Sequence, residues 1–311
     1  MEKLEKAMKA AEKMRSEWAE SDAKRDSGLE SRADVCCISD IVYTESETED
    51  ERLWHLADIF YPVEKQDNYP VIVSVHGGGW FYGDKKLYSH YCELLASYGF
   101  AVVDFNYRLS PKYKYPAGFL DVCHLMEFIK VNAGKYSLDM DRLFGVGDSA
   151  GAQLLSQYCV ASTNAEYRSL IPGLEDIQLP VPKRVALNCG IYNMKDMANR
   201  DQIVEWYLTA DDLDAFKDKC ELSDIAKSFW DVFDHITGDF PETYLMLSVN
   251  DDLKIHTYPM KKKLEEKGVY FVFREFGEDC TDDGHVFHVN MKSENGHKCN
   301  SEEIEFFRGI K

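Results

Sequence analysis

Gly145-Val146-Gly147-Asp148-Ser149-Ala150-Gly151 joins two segments of different periodicity. Before it, Arg142-Leu143-Phe144 reads as the end of a buried strand. After it, Ala152 to Val160 carries apolar residues at helical spacing. Gly147-x-Ser149-x-Gly151 therefore sits on a strand-to-helix turn, the context a nucleophile elbow requires. Such a turn forces Ser149 into a strained conformation. Gly147 and Gly151 remove side chains that would collide across it. The hydroxyl then stands at a helix N-terminus, where amides and the helix dipole favour developing negative charge. The same string also describes a plain glycine-rich turn after a strand, and the rest of the chain decides between the two.

The 311 residues suffice for one large α/β domain with an insertion, or for two domains. A content of 45% apolar and 13% aromatic residues supports a sizeable core. No apolar run reaches the length of a membrane span. The net charge is -19, from 36 basic against 55 acidic side chains, which argues against nucleic acid and anionic membranes as partners. Met1 to Lys6 is too charged for a signal peptide. The nine cysteines have no regular spacing and no C-x-x-C pair, and Cys159 and Cys189 read as small core residues. A cytoplasmic protein with reduced thiols is expected.

Residues 3 to 20 place Leu4, Met8, Ala11, Met14 and Trp18 on one helical side. This helix either packs passively or caps a site, and residues 21 to 34 read as a polar linker. Val35–Thr44 and Leu53–Tyr61 read as strands around an acidic turn. Val71 to Val75 is a continuous apolar run, a buried strand. It ends at His76-Gly77-Gly78-Gly79-Trp80, whose glycines expose amides that can face an anion. The loop lacks the ending and spacing of a P-loop. A helix over 87–98, a strand over 101–105, a helix over about 119–131 and the elbow strand follow. The alternation implies a doubly wound α/β fold with a mostly parallel, eight-stranded sheet. Strands are also expected at 184–189, 243–249 and 269–276, with a helix closed by Gly268 between the last two. Residues 192–238 break the alternation and read as a helical insertion. A closing helix begins at about Glu302.

Ser149 is thus followed by Asp251 or Asp252, and then by His285 or His288, each after an expected strand. That is the chain order of α/β-hydrolases. The four segments His76-Gly77-Gly78-Gly79-Trp80, Tyr107-Arg108-Leu109-Ser110-Pro111, Tyr115-Pro116-Ala117 and Gly147-Asp148-Ser149-Ala150-Gly151 resemble the hormone-sensitive-lipase-type esterases, from about residue 50 to the C-terminus. The resemblance implies an α/β-hydrolase fold with a helical cap, carboxylic-ester hydrolysis and no cofactor. It assigns the oxyanion amides to Gly78, Gly79 and Ala150. Where the family has Asp-Pro-Leu, this chain has Asp251-Asp252-Leu253, and aligning the leucine selects Asp251 as the acid. The loop Gly284-His285-Val286-Phe287-His288 and the Trp after the glycines are closer to bacterial acetyl and feruloyl esterases, which tilts the expectation to small acyl groups on sugar or aryl alcohols. The domain reading is residues 1–34 as an N-terminal cap element and 35–311 as the catalytic domain, with the cap insertion at about 192–238.

In this reading Ser149 is the nucleophile, His285 the base and Asp251 its orienting acid. Trp80 is the candidate substrate contact, whereas Trp206 and Trp230 read as core. Asp148, Tyr107, Arg108 and His288 read as structural. Asp282, Asp283, His285 and His288 could instead gather round a metal, but the Cys/His pattern of a zinc site is absent and no metal is expected. The partner is a small-molecule ester. Two alternatives remain: an amide or peptide hydrolase on the same machinery, and a small-molecule-binding protein on a hydrolase scaffold, which would normally have lost Ser or His.

Overall fold

In a computed structural model of the chain, Val71 and Val73 point into one hydrophobic cluster and Ile72 into another, all three completely buried. Successive strand residues face opposite sides of a sheet. A run with no polar alternation is therefore the mark of a strand covered on both faces. This strand, β3 (Tyr69–Val75), lies near the middle of one eight-stranded sheet. The others are β1 (Val35–Val42), β2 (Leu56–Pro62), β4 (Ala101–Phe105), β5 (Leu138–Asp148), β6 (Arg184–Asn188), β7 (Glu242–Ser248) and β8 (Phe271–Phe276). Their spatial order is β1-β2-β4-β3-β5-β6-β7-β8, with only the β1–β2 and β2–β4 pairs antiparallel. The structure describes residues 2–174, 176–197, 202–209, 211, 214, 216, 221–278 and 283–310.

One face is covered by the helices Ala117–Val131, Ala150–Thr163 and Lys254–Lys267, which share the larger cluster with Val71 and Val73. The helices Ser89–Ser97 and Glu294–Arg308 cover the other. Gly268 (φ 70) closes Lys254–Lys267 in the left-handed region. The five parallel pairings bring the C-terminal ends of β4, β3, β5, β6, β7 and β8 to one edge. No helix among the described residues is long and apolar enough to cross a membrane.

Three expectations need correction. The N-terminal helix runs Glu2–Asp26, so residues 21 to 26 are helix and not linker. Ala23, Lys24 and Arg25 are good helix formers, and no glycine intervenes before Gly28. Leu4 is exposed, whereas Ala11 is completely buried. The acidic turn contains a one-turn helix, Glu49–Arg52, capped by the Thr48 side chain accepting from the Glu51 amide. The closing helix starts at Glu294, eight residues before the expected start, after an N-cap at Ser293. Its first turns are polar and offered little periodicity. Between β6 and β7, the described helices are Gln202–Tyr207 and Asp224–Trp230, with 3-10 turns at Met194–Met197 and Val232–His235.

Candidate active site

Ser149 follows the last residue of β5 and caps the helix Ala150–Thr163, with φ 51 and ψ -119. A serine pays for this left-handed geometry in strain, which the surroundings must hold. The Ser149 amide donates to the Asn188 carbonyl at 3.0 Å, tying the turn to the end of β6. A Cβ on Gly151 would lie 1.9 Å from the Val75 carbonyl oxygen, so only glycine lets the new helix pass the end of β3.

The Ser149 Oγ lies 2.9 Å from His285 Nε2, and His285 Nδ1 lies 2.7 Å from Asp251 Oδ2. Asp251 is buried at the end of β7, while Asp252 is exposed. The other Asp251 oxygen accepts from the Leu253 amide at 2.8 Å, fixing the carboxylate. Burial opposes a charge on His285, but the hydrogen bonds to Asp251 and Cys189 together outweigh it and the imidazole pKa is raised. Its side chain remains 35% exposed on the cavity side.

The glycine loop leaves β3 beside this array. The Gly78 carbonyl accepts from the Phe81 and Tyr82 amides at 3.1 and 2.9 Å. Gly78 has φ 110, and a Cβ there would lie 2.0 Å from the Tyr82 carbonyl oxygen. Among the described residues, the amides of Gly78, Gly79 and Ala150 are not spent on loop hydrogen bonds. Tyr88 sets the start of the loop: its hydroxyl donates to Asp148 Oδ2 at 2.7 Å and accepts from the Gly77 amide at 3.0 Å. Burial pushes the Asp148 carboxyl up to about 6, against the hydrogen bond from Tyr88. His76 stacks on Tyr107 with centroids 4.2 Å apart, and the Tyr107 hydroxyl donates to the His76 carbonyl. Arg108 bonds Asp121 and Glu51, away from the cavity.

A cavity of about 400 Å³ opens onto Ser149 and His285. Its walls are largely apolar, with Trp80, Ile191, Met197, Ile203, Leu253 and Val286. Trp80 reaches it from a fixed position: the indole stacks on Tyr207 at 5.0 Å and donates to Gln153 Oε1 at 2.9 Å. Trp206 and Trp230 are buried in the core. The N-terminal helix supplies a further wall through Trp18, Ser21, Asp22 and Arg25. The last three lie in the segment read from sequence as linker, and helix continuation through Arg25 was the signal that could have found them. Arg25 pairs with Asp22 and Asp26, and the Tyr82 hydroxyl donates to Asp22 at 2.6 Å. Arg15 fixes the helix by donating to the Phe81 and Ser110 carbonyls.

Of the residues considered for a metal, Asp283 accepts from Ser293 and Asn295, and His288 is buried edge-on to Tyr91. Asp282 lies outside the described residues. Among the described residues, a different group offers ligand atoms: those of Cys189, Asp251 and His285 all lie within 4.8 Å of one another. Cys189 was read as core; it is buried, but at the edge of the site, because it follows the last residue of β6.

Residues 57–229 match the family described as BD-FAE. Versiconal hemiacetal acetate esterase of Dothistroma septosporum is 26% identical over 205 residues, 64% of this chain and 62% of that protein. Carboxylesterase NlhH of Mycobacterium tuberculosis is 35% identical over 97 residues, 31% of this chain and 30% of that protein. The chain thus spans less than two thirds of the length of these curated relatives. Esterase B from Lactobacillus rhamnosis superposes with a TM-score of 0.79 at 21% identity, over 100% of this chain and 96% of that one. EstE1, a carboxylesterase cloned from a metagenomic library, gives 0.71 at 18% identity, over 96% and 97%. These two likenesses establish the α/β-hydrolase fold.

Proposed function

The chain belongs to the BD-FAE family, and from that premise we propose that it is a serine carboxylesterase acting on small or short-chain esters. The observation that carries the reading is the continuous path from Ser149 Oγ through His285 to Asp251, at 2.9 and 2.7 Å. A serine hydroxyl is a weak nucleophile near neutral pH and needs a base in contact. His285 Nε2 accepts its proton as Oγ attacks the ester carbonyl. Asp251 holds the other ring proton on Nδ1 and stabilises the imidazolium. The oxyanion is received by the amides of Gly78, Gly79 and Ala150, each worth about 3 kcal/mol in comparable enzymes. His285 then protonates the leaving alcohol. Water, activated by the same imidazole, releases the acid from Ser149.

The cavity supports a substrate class. Its apolar walls and size suit a short acyl chain, and the paired charges of Asp22 and Arg25 on one rim suit a neutral, hydroxyl-bearing alcohol better than an anionic one. Acetylated or feruloylated sugars are of this type. The buried free thiols of Cys92, Cys123, Cys159 and Cys299 agree with a reducing compartment.

The test is a panel of aryl esters of increasing acyl length, set against acetylated and feruloylated sugars, with wild type and Ser149→Ala. Hydrolysis lost in Ser149→Ala, together with an acyl-Ser149 adduct in the wild type by mass spectrometry, supports the reading. Turnover that survives Ser149→Ala overturns it.

A further inference from the structure

Cys189 stands at φ 48 immediately after β6, with no exposed surface. Its thiol makes a weak contact to the Met246 sulfur at 3.7 Å and also hydrogen-bonds the His285 side chain. Ester hydrolysis makes no use of this thiol, yet it adjoins the imidazole and carboxylate that hydrolysis needs. A thiol, an imidazole and a carboxylate form a borderline-soft donor set suited to Zn²⁺. With bonds of about 2.0–2.3 Å, tetrahedral Zn²⁺ holds its ligand atoms roughly 3.5 Å apart. The three atoms here, within 4.8 Å of one another, reach that spacing by side-chain shifts of about an ångström.

We propose that Cys189 Sγ, His285 Nδ1 and the Asp251 carboxylate form an inhibitory binding site for Zn²⁺; the inhibitory part rests on the esterase reading of the same His and Asp. The metal takes the Nδ1 lone pair, and the proton carried there moves to Nε2. The Cys189 thiol gives up its proton to solvent. The His285–Asp251 hydrogen bond is exchanged for two metal–ligand bonds, and water takes the fourth position. The dication, thiolate, carboxylate and neutral imidazole sum to zero charge, which suits a buried site. Nε2, now protonated, has no lone pair for the Ser149 proton. Hydrolysis stops although the metal does not touch Ser149. The metal enters past the imidazole, the partly exposed member of the group.

The exposed pair Cys36 and Cys37 could also take Zn²⁺, so both are replaced by Ser in every chain tested. Zn²⁺ is titrated by calorimetry into the full chain carrying S149A, in buffers of different ionisation enthalpy. The expected result is one Zn²⁺ per chain, with about one proton released from the thiol at a pH above the raised His285 value and about one more below it, where the imidazolium must ionise too. C189S weakens binding by at least about 100-fold, the upper end of what losing even an outer-shell partner costs. Asp251→Asn, which removes a second ligand, weakens it as well. Co²⁺ gives a thiolate-to-metal absorption that C189S lacks. With Ser149 restored, Zn²⁺ inhibits and EDTA reverses it, each chain being referred to its own metal-free rate. Equal Zn²⁺ affinity in a folded C189S chain, or Co²⁺ binding without the thiolate band, overturns the proposal. Because binding is read without Ser149, a chain inert toward esters would overturn the esterase reading and leave the metal result standing.

Discussion

Two carboxylates, Asp251 and Asp252, are neighbours in sequence, and the backbone at the end of β7 turns one inward and the other out. Asp251→Asn is expected to cost about 10⁴ in kcat, because the amide favours the wrong imidazole tautomer. Asp252→Asn should stay within a few fold; steady-state kinetics on one aryl ester decide between them, and a crippled Asp252→Asn would show that Asp252, not Asp251, is the acid. The raised pKa of His285 carries a second prediction. The base works only when neutral, so kcat/KM should rise with pH through a value above the ordinary histidine value of about 6.5. Asp251→Asn should move that limb down. A third concerns Tyr88, whose hydroxyl joins Gly77 to Asp148. Tyr88→Phe should lower kcat by about 10- to 100-fold with KM little changed, less than the 10²–10³ of losing an oxyanion donor outright. An unchanged kcat would mean that the glycine loop holds its shape without this bond.

The N-terminal helix and the glycine loop form one packed unit. Trp18 lies against Phe81 and Tyr82 at 4.9 and 5.5 Å, and Ala11 shares a cluster with Phe81 and Trp206. Removing residues 1–30 would expose Phe81 and Trp206 and open one wall of the cavity. The truncated protein should melt at lower temperature and accept longer acyl chains, while Ser149 keeps its reactivity toward a small activated ester. Melting curves and the acyl-length profile test this; if neither changes, the helix is a passive appendage. The sequence already suggested a cap role for this helix; its charge pattern hid only the last turns. Its buried stripe is narrow, with only Ala11 fully covered, so periodicity faded before the helix ended at Asp26.

At the scale of the whole molecule, two buried carboxyls lie in the core near the elbow. Glu303 accepts from Tyr91 and Asn188, and burial pushes it up to about 7; Asp148 is pushed up to about 6. In the folded chain both hold protons that the unfolded chain releases near pH 4. The stability they contribute is full below that pH and declines as pH rises toward 7. Glu303→Gln cannot ionise and should flatten the fall in melting temperature between about pH 4.5 and 7.5 relative to wild type. Parallel curves would show that Glu303 is already ionised in the fold. The large negative charge acts in the same direction in both proteins and cancels in the comparison.

What the sequence determined by itself was local or strictly ordered. Val71 to Val75 reads as a doubly covered strand, and Gly147-x-Ser149-x-Gly151 after a strand as a sharp turn into a helix. The order Ser149, Asp251, His285 followed the strand ends, so the candidate residues could be named before their distances were known. Apolar periodicity and glycine sterics act over a few residues, and this is why they are readable. Tertiary structure decided what depends on distant segments meeting. It brought Arg25 and Asp22 of an apparent linker into the cavity wall, and Tyr88 between Gly77 and Asp148. It also set the thiol of Cys189 beside Asp251 and His285. A buried cysteine after an apolar strand reads the same whether its neighbour is a leucine or an imidazole. Only the parallel pairing of β5, β6, β7 and β8, which gathers their C-terminal ends at one edge, makes it the imidazole.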